Sequence, residues 1–197
     1  MKIGVLALQG DVPEHLHALT PLLPKGDLLP IRTPAELARV SALFLPGGES
    51  TTIAQLIAQA DLWDPLRVRL KAGLPVLATC AGLILLARHL VPSTSGRDPP
   101  TFGVLDVRVL RNGYGAQRES FEGPVRVEGL PDGPFPGVFI RAPRILEVGP
   151  PVTPFAWREN EVVGVRSGAV WGMTFHPELS GDLRLHRYFL ETVLPPP

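Results

Sequence analysis

A single cysteine stands where a chain could expose a nucleophile. Cys80 is the only cysteine among the 197 residues, and it separates an apolar, strand-like run at residues 75–78 from a helix-compatible segment at residues 81–89. Small neighbours, Ala81 and Gly82, would let the backbone turn sharply from strand to helix and leave the side chain exposed. The positive end of a helix favours an anionic nucleophile, and the Ala81 N–H could serve as an oxyanion donor. The stretch is typical of a nucleophile elbow, although a lone cysteine is more often only a buried apolar side chain.

A thiol of this kind needs a base, and one of the five histidines has suitable neighbours. His176 follows the apolar run at residues 169–175 and precedes Pro177 and Glu178. The other histidines, at positions 15, 17, 89 and 186, lie within or beside helix-compatible segments. Proline disfavours a helical conformation in the residue before it, so we expect His176 to be extended, with the Glu178 carboxylate on the same side. Cys80, His176 and Glu178 therefore predict a nucleophile, a base and a carboxylate that orients the base.

Two adjacent glycines follow a third strand-like run. Gly47 and Gly48 stand in Phe-Leu-Pro-Gly-Gly-Glu-Ser-Thr-Thr at residues 44–52, just before a helix-compatible segment. Glycine adopts backbone conformations that other residues avoid, so the Gly48 N–H could turn toward a developing negative charge as a second oxyanion donor. A Walker-type phosphate loop would end in Gly-Lys-Ser/Thr, and this stretch has no lysine. The same residues also predict a turn with a Ser or Thr helix cap.

Two arginines in the second half of the chain could bind a small anionic substrate. Arg111 opens a polar, glycine-rich segment at residues 111–122, and Arg141 follows the apolar pair at residues 139–140. Arginine can hold a carboxylate through two hydrogen bonds. A solvated loop explains residues 111–122 equally well, and a surface ion pair is the commoner role for an arginine such as Arg141.

The pattern of apolar runs predicts the elements that would position these residues. In the first half, strand-like runs alternate with helix-compatible segments, which is typical of βαβ units and a mostly parallel sheet covered on both faces. The predicted strands are residues 3–8, 27–31, 42–46 and 75–78, and the predicted helices are residues 12–22, 34–39, 51–60 and 81–89. From residue 101 a period of two predicts antiparallel strands added to the sheet. These are residues 104–110, 124–127, 138–140, 161–165 and 169–175, followed by a helix at 181–193 and preceded by a candidate mobile loop at 91–100.

Composition limits the classes of protein to consider. With 197 residues, 45% of them hydrophobic, the chain can bury one sizeable core, so we expect residues 1–197 to form a single domain. Acidic and basic residues balance at 19 each, so no overall charge attracts nucleic acid or an anionic membrane. One cysteine cannot form an internal disulfide, and the sequence has no cluster of cysteines and histidines at metal-ligand spacing, so we expect no disulfide and no metal site. The lack of a disulfide is typical of cytoplasmic proteins, so we expect a cytoplasmic location. No stretch is long and apolar enough to span a bilayer.

Five motifs together resemble one family. They are Ala-Leu-Gln-Gly at residues 7–10, Pro-Gly-Gly-Glu-Ser-Thr at 46–51, Thr-Cys-Ala-Gly at 79–82, Arg-Asn at 111–112 with Ser-Phe-Glu at 120–122, and His-Pro-Glu at 176–178. The set resembles the glutaminase subunits of pyridoxal 5′-phosphate synthase, which belong to the class I (triad) glutamine amidotransferases. The combination is more specific than the cysteine and histidine motifs, which all triad amidotransferases share.

The resemblance implies a fold, an activity and a partner. The fold would be a flavodoxin-like, three-layer α/β/α arrangement with a mostly parallel central sheet and added antiparallel strands. The activity would be hydrolysis of L-glutamine to L-glutamate and ammonia without a cofactor, with Cys80 as nucleophile and His176 and Glu178 completing the triad. The glutamine pocket would be lined by Gly47, Gly48, Glu49, Arg111, Ile140 and Arg141. The ammonia would pass through a tunnel to a separate synthase subunit that makes pyridoxal 5′-phosphate (vitamin B6), in a large hetero-oligomer with a dodecameric synthase core.

Three positions depart from the usual pattern of that family. Glycine is usual where Ala78 stands, beside the predicted elbow, and arginine is usual at the positions of Pro13 and Ala116. Ala78 bears on the geometry of the turn at Cys80. The other two bear on contacts with the synthase more than on chemistry.

The residues alone leave other functions open. Within the class, the chain could serve histidine, anthranilate or guanylate synthesis, although residues 111–122 favour the pyridoxal phosphate branch. A stand-alone cysteine hydrolase or peptidase could use the same elbow. A catalytically inactive binding module could keep the same fold.

Overall fold

A large mixed sheet dominates the fold. The computed structural model describes residues 1–92, 97–114 and 120–194. The strands are β1 (Ile3–Leu6), β2 (Leu28–Ile31), β3 (Ala42–Leu45), β4 (Val76–Thr79), β5 (Ala87–Leu90), β6 (Leu105–Leu110), β7 (Ser120–Val127), β8 (Phe135–Ile140), β9 (Arg144–Val148), β10 (Thr153–Arg158), β11 (Glu161–Ser167) and β12 (Val170–Met173). Nine of them form one sheet in the order β2-β1-β3-β4-β12-β11-β10-β7-β8.

Helices connect these strands and cover the sheet. They are α1 (Val12–Leu19), α2 (Pro34–Leu37), α3 (Ser50–Gln59), α4 (Trp63–Lys71), α5 (Ala81–Leu86) and α6 (Arg184–Val193), with short 3₁₀ helices at Thr20–Leu22 and Pro177–Leu179. Among the described residues, every helix is too short or too polar to cross a membrane. The predictions of a single domain and of a cytoplasmic location stay predictions.

The parallel half of the sheet separates two hydrophobic layers. Strands β2, β1, β3, β4 and β12 run parallel to one another. On β3, Phe44 packs into the core that also contains Leu19 of α1 and Phe189 of α6. Its neighbours Leu43 and Leu45 pack into the opposite core, which includes side chains of α3, α4 and α5. Alternate residues of a strand face opposite sides of a sheet, so this division confirms the predicted three-layer α/β/α fold.

An antiparallel extension follows the parallel half. The strands predicted at residues 124–127, 138–140 and 161–165 lie in it, whereas the one predicted at 169–175 forms β12, which is inserted beside β4 and runs parallel to it. β12 pairs with β11, and β11, β10, β7 and β8 continue the sheet antiparallel to one another. A backbone hydrogen bond connects β8, the last strand of the extension, to the segment that follows β12: the His176 N–H donates to the Val138 carbonyl at 2.8 Å. The carboxyl end of β8, and with it Ile140 and Arg141, therefore lies beside the carboxyl end of β12.

A second, three-stranded sheet corrects two of the predictions. The helix predicted at residues 81–89 ends at Leu86, and the following four residues form β5. The segment predicted at residues 104–110 forms β6, which does not join the main sheet; it pairs with β5 in parallel and with β9 antiparallel. The side chains of Leu105, Val107 and Val109 pack into the same core as α5, so burial of this strand face overrides the helical propensity of the residues after Leu86.

Three elements were not predicted. Helix α4 buries only Leu66 and Leu70, so its apolar stripe is too narrow to stand out from its charged residues. Strands β9 and β10 follow each other across a proline-rich turn, and neither shows a clean alternation of buried and exposed residues. Residues 93–96 of the loop predicted at 91–100, and Ala116 in the 111–122 segment, lie outside the described residues.

Candidate active site

Four neighbouring strands deliver the predicted residues to one edge of the sheet. Gln9 and Asp11 follow β1, the glycine pair follows β3, Cys80 follows β4 and His176 follows β12. These strands are adjacent in the order β1-β3-β4-β12 and run in parallel, so their carboxyl ends meet. Residues more than 160 positions apart in the sequence therefore line one cavity.

The cavity has a volume of about 440 Å³, which suits a small-molecule ligand. The predicted site residues in its wall are Gly48, Glu49, Cys80, Arg111, Ile140, Arg141 and His176. The wall also includes Gln9, Asp11, Ser50, Ile84 and Asn112, which were not predicted. Gly47, Ala81 and Glu178 lie behind this wall.

Cys80 lies at a sharp turn between β4 and α5. Its backbone has φ 47° and ψ −103°, a conformation that residues other than glycine rarely adopt. Two backbone bonds hold the turn: the Cys80 N–H donates to the Met173 carbonyl at 2.8 Å, and the Ile84 N–H donates to the Cys80 carbonyl at 3.2 Å. A Cβ atom on Gly82 would overlap the Leu45 carbonyl, so α5 approaches β3 closely. This strained elbow points the thiol into the cavity, where it remains only 7% exposed.

His176 and Glu178 form a buried pair beside Cys80. Nδ1 of His176 lies 2.8 Å from Oε1 of Glu178. Continuous extended backbone does not produce this pairing, because Pro177–Leu179 form a turn of 3₁₀ helix that folds the Glu178 side chain back to the ring. Glu178 Oε1 also accepts a hydrogen bond from the Thr79 hydroxyl at 3.4 Å. The structure thus brings the pair together by a route that the sequence argument did not anticipate.

Electrostatic interactions favour an ion pair at His176. Burial alone would lower the pKa of His176, but its interactions with Asp11, Cys80 and Glu178 raise it well above its usual value. Burial alone would raise the pKa of Glu178, but His15 and His176 hold it below its usual value. Both pKa shifts favour a charged imidazolium beside an ionised Glu178 carboxylate.

The glycine loop adopts a defined conformation. Gly48 has φ 144°, and a Cβ atom there would lie 2.6 Å from the Gln9 side-chain oxygen. The Gly47 carbonyl accepts a hydrogen bond from the Asp11 N–H at 3.2 Å. In a planar trans peptide the C=O and the next N–H point in opposite directions, so the Gly48 N–H points away from Asp11. A Cβ atom on Gly47 would overlap the His176 ring, so this glycine is also needed to seat the imidazole.

The sequence predicted a serine or threonine as the N-cap of the helix after the glycine pair, and this prediction is wrong. Glu49 is the N-cap of α3, and its carboxylate accepts from the Thr51 N–H at 3.0 Å and the Thr52 N–H at 2.7 Å. A glutamate can reach these amides because its longer side chain folds back over the first turn. The same carboxylate lies 3.6 Å from Arg111, so Glu49 joins the helix start to the cavity wall.

The two arginines have different surroundings. Arg111 lies 3.2 Å from Asp98 and 3.4 Å from the Thr51 hydroxyl, in addition to its contact with Glu49. Arg141 follows β8, is exposed, and has a positive φ of 41°. The structure therefore holds one guanidinium firmly in the cavity wall and places the other at the rim.

Two buried histidines were missed by the sequence argument, which treated them as ordinary helical residues. His15 is fully buried, and its Nε2 lies 3.3 Å from the Thr79 hydroxyl and 3.5 Å from Glu178 Oε1. His186 of α6 is equally buried, with its ring 5.8 Å from that of His15. The available signal was helical spacing, since His15 shares the inner face of α1 with Ala18 and Leu19. His89, also grouped with the helices, lies on β5.

We expect His186 to make the fold sensitive to acid. Burial, with the nearby His15, lowers the pKa of His186 from 6.5 to about 3. Below pH 6.5 the unfolded chain gains a proton that the folded chain does not, so stability falls as pH falls through this window. The loss from this one group at pH 5 is about 2 kcal/mol. Urea unfolding at pH 8 and pH 5 should show that His186→Phe loses less stability on acidification than the parent chain.

The exposed His17 on α1 provides the control for this experiment. His17→Gln should keep the parent's acid sensitivity, because the His17 side chain is exposed and has no part in the buried contacts of His186. Equal losses of stability in His186→Phe and the parent would contradict the prediction.

Asp11, His176 and Glu178 also have residue types that bind metals. Their ligand atoms lie within 4.8 Å of one another. The contacts of His176 Nδ1 with the two carboxylates account for the same spacing, and the sequence prediction of no metal site stays a prediction.

Comparison with known proteins identifies the family. A model of the SNO glutamine amidotransferase family matches residues 5–195. The chain belongs to that family. Among curated relatives, the pyridoxal 5′-phosphate synthase subunit PdxT of Pyrococcus abyssi is 48% identical, over 98% of this chain and 100% of the relative. The PdxT subunit of Streptomyces coelicolor is 49% identical, over 97% of this chain and 93% of the relative.

The solved structures agree with this SNO-family assignment. A crystal structure of a glutamine amidotransferase superposes with a TM-score of 0.88 at 44% sequence identity, covering 98% of this chain and 99% of that one. The family resemblance read from the five motifs, and the flavodoxin-like fold that it implies, are confirmed. The comparisons identify the family of this glutamine amidotransferase, and the roles of its individual side chains are argued from the site geometry described above.

Proposed function

We propose that this chain hydrolyses L-glutamine to L-glutamate and ammonia through Cys80, His176 and Glu178, as the glutaminase subunit of pyridoxal 5′-phosphate synthase. The observation that carries the chemistry is the meeting of a strained, cavity-facing cysteine with a buried histidine–carboxylate pair at one sheet edge. The observation that carries the biological role is full-length similarity to curated PdxT subunits.

The reaction begins with acylation of the cysteine. The Cys80 thiolate attacks the side-chain amide carbon of glutamine and forms a tetrahedral oxyanion. Backbone N–H groups of Ala81 and Gly48 stabilise this charge, Ala81 from the start of α5 and Gly48 from the glycine loop. His176 then donates its proton to the departing amide nitrogen, and ammonia leaves as the thioester forms.

Deacylation uses the same residues. His176, now neutral, takes a proton from a water molecule, which attacks the thioester carbon. The second oxyanion collapses, releases glutamate and regenerates the thiolate with protonated His176. Glu178 keeps its charge throughout, because it orients the ring and stabilises the imidazolium without bonding to substrate.

Charged residues in the cavity wall complement the ends of glutamine. The Glu49 carboxylate suits the α-ammonium group, and Arg111 and Arg141 suit the α-carboxylate. The Glu49 carboxylate is fixed by its bonds to the first turn of α3 and by Arg111, so these groups need little rearrangement to bind. Ile140 lines the cavity beside the thiol, and its backbone carbonyl accepts a hydrogen bond from Cys80 Sγ at 3.9 Å.

The ammonia serves a partner subunit. A glutaminase that supplies a synthase must release ammonia close to the partner's active site, so we expect docking to cover the cavity mouth and raise turnover. Delivery through a tunnel, in a hetero-oligomer with a dodecameric synthase core, is the finer form of this proposal.

Ammonia release tests the function directly. The chain should convert glutamine to glutamate and ammonia with its cognate synthase present, and intact mass should show one adduct on Cys80 after incubation with a glutamine-mimicking diazoketone. An adduct with no effect of the synthase on turnover would favour a stand-alone hydrolase. Neither ammonia nor an adduct, with the synthase present, would favour an inactive binding module.

A further inference from the structure

Asp11 immediately precedes α1, and its carboxylate does not make the contact that this position predicts. Aspartate at a helix N-cap normally accepts a hydrogen bond from the first turn of the helix. The Asp11 side chain makes no such bond. Its Oδ2 lies instead 3.1 Å from Nδ1 of His176. A side chain that leaves its local partner for a distant one is a departure typical of functional sites.

Nδ1 of His176 therefore has two carboxylate neighbours. Glu178 Oε1 is at 2.8 Å and Asp11 Oδ2 is at 3.1 Å. One N–H can be shared between two acceptors in a three-centre hydrogen bond. The Glu178 side chain is fully buried, whereas the Asp11 side chain is 29% exposed and lines the cavity. One carboxylate is thus fixed in the core and the other meets the space where substrate would bind.

Asp11 also holds the glycine loop. Its N–H donates to the Gly47 carbonyl at 3.2 Å, and a Cβ atom on Gly47 would lie 2.7 Å from Asp11 Oδ2. The loop that carries the proposed oxyanion donor Gly48 and the ring of the proposed base His176 are therefore both in contact with one residue.

We infer that Asp11 is a positioning residue of the glutaminase reaction, which shares the Nδ1–H of His176 with Glu178 and keeps the ring aligned against the glycine loop. The inference rests on the proposed function. Its consequence is partial redundancy: when one carboxylate is neutralised, the other still orients the ring and stabilises the imidazolium.

A double-mutant cycle tests the redundancy. We would measure kcat and KM for ammonia release, with the cognate synthase present, in Asp11→Asn, Glu178→Gln and the double variant. Asp11→Asn should lower kcat about 10-fold with little change in KM, since it removes a charged partner of the base and leaves the residues proposed to bind the two ends of glutamine unchanged. The double variant should lose at least about threefold more than the product of the two single losses.

Two further variants separate this role from a structural one. Glu14→Gln removes a negative charge from the first turn of the same helix, and we expect its kcat to match the parent. Asp11→Ser keeps a good helix-capping residue but removes the carboxylate, so it should be as slow as Asp11→Asn; melting temperatures report whether each variant is folded.

The outcomes are distinct. Parent-like kcat in Asp11→Asn, full activity in Asp11→Ser, or losses in the double variant that simply multiply would overturn the role of Asp11. An inactive parent chain, with synthase present, would instead overturn the proposed function.

Discussion

Replacing Cys80 with serine should abolish glutamine hydrolysis, with kcat reduced on the order of 10⁴-fold or more. In the proposed mechanism the sulfur is the atom that forms the thioester, and a hydroxyl at the same strained elbow is a far weaker nucleophile at neutral pH. The Cys80→Ser chain should fold normally, because the change is nearly isosteric and the backbone bonds of the turn are retained. The measurement is glutamate and ammonia production with the synthase present, together with circular dichroism and a melting temperature.

The control for this experiment is binding. Cys80→Ser should still bind glutamine, because the residues proposed to hold the substrate are unchanged, and isothermal titration would detect it. Residual turnover within about 100-fold of the parent would exclude Cys80 as the nucleophile.

Replacing Gly47 with alanine should lower kcat about 100-fold while leaving the fold intact. The new methyl group would overlap the His176 ring and crowd Asp11 Oδ2, so the imidazole must move by a substantial part of an ångström. Displacement of a catalytic base by that amount disturbs proton transfer to the leaving group. The change opens no void in either core, so the melting temperature should change little.

Another glycine, Gly123 on strand β7, gives the matched control for this change. A Cβ atom on Gly123 of β7 would meet only the flexible Arg158 side chain, at 3.3 Å. Gly123→Ala should therefore keep parent-like kcat. If Gly47→Ala were as active as Gly123→Ala, the overlap with His176 would not restrict the base.

The sequence predicts the proposed catalytic residues better than it predicts the residues that contact and position them. Cys80 and His176 can be found because their local neighbours, small residues at one and Pro177 at the other, have specific backbone consequences. Helical spacing with Ala18 and Leu19 could have placed His15 on the inner face of α1. Its contacts with Thr79 and Glu178 could not be predicted in this way, because those residues lie more than 60 positions away. For the same reason Asp11 looks like an ordinary helix cap until His176 is placed beside it.

The secondary structure also depends partly on local sequence and partly on distant pairing partners. Strands β1, β3, β4 and β12 are buried on both faces, so their apolar runs identify them, whereas β2 at the sheet edge is only half-buried. Residues 87–90 have helical propensity and become β5 because β6, about 18 positions later, offers a pairing partner and a shared core. Patterns within one element are readable from the sequence, whereas competition between elements is decided by packing.

The position of β12 has a consequence for the timing of activity during synthesis. Although β12 follows every other strand in the chain, it lies inside the sheet between β4 and β11. A ribosome-bound chain that lacks it has Cys80 but neither His176 nor the Met173 carbonyl that holds the elbow. Under the proposed mechanism, partly made copies of this protein should therefore not hydrolyse glutamine, because Cys80 is translated long before His176.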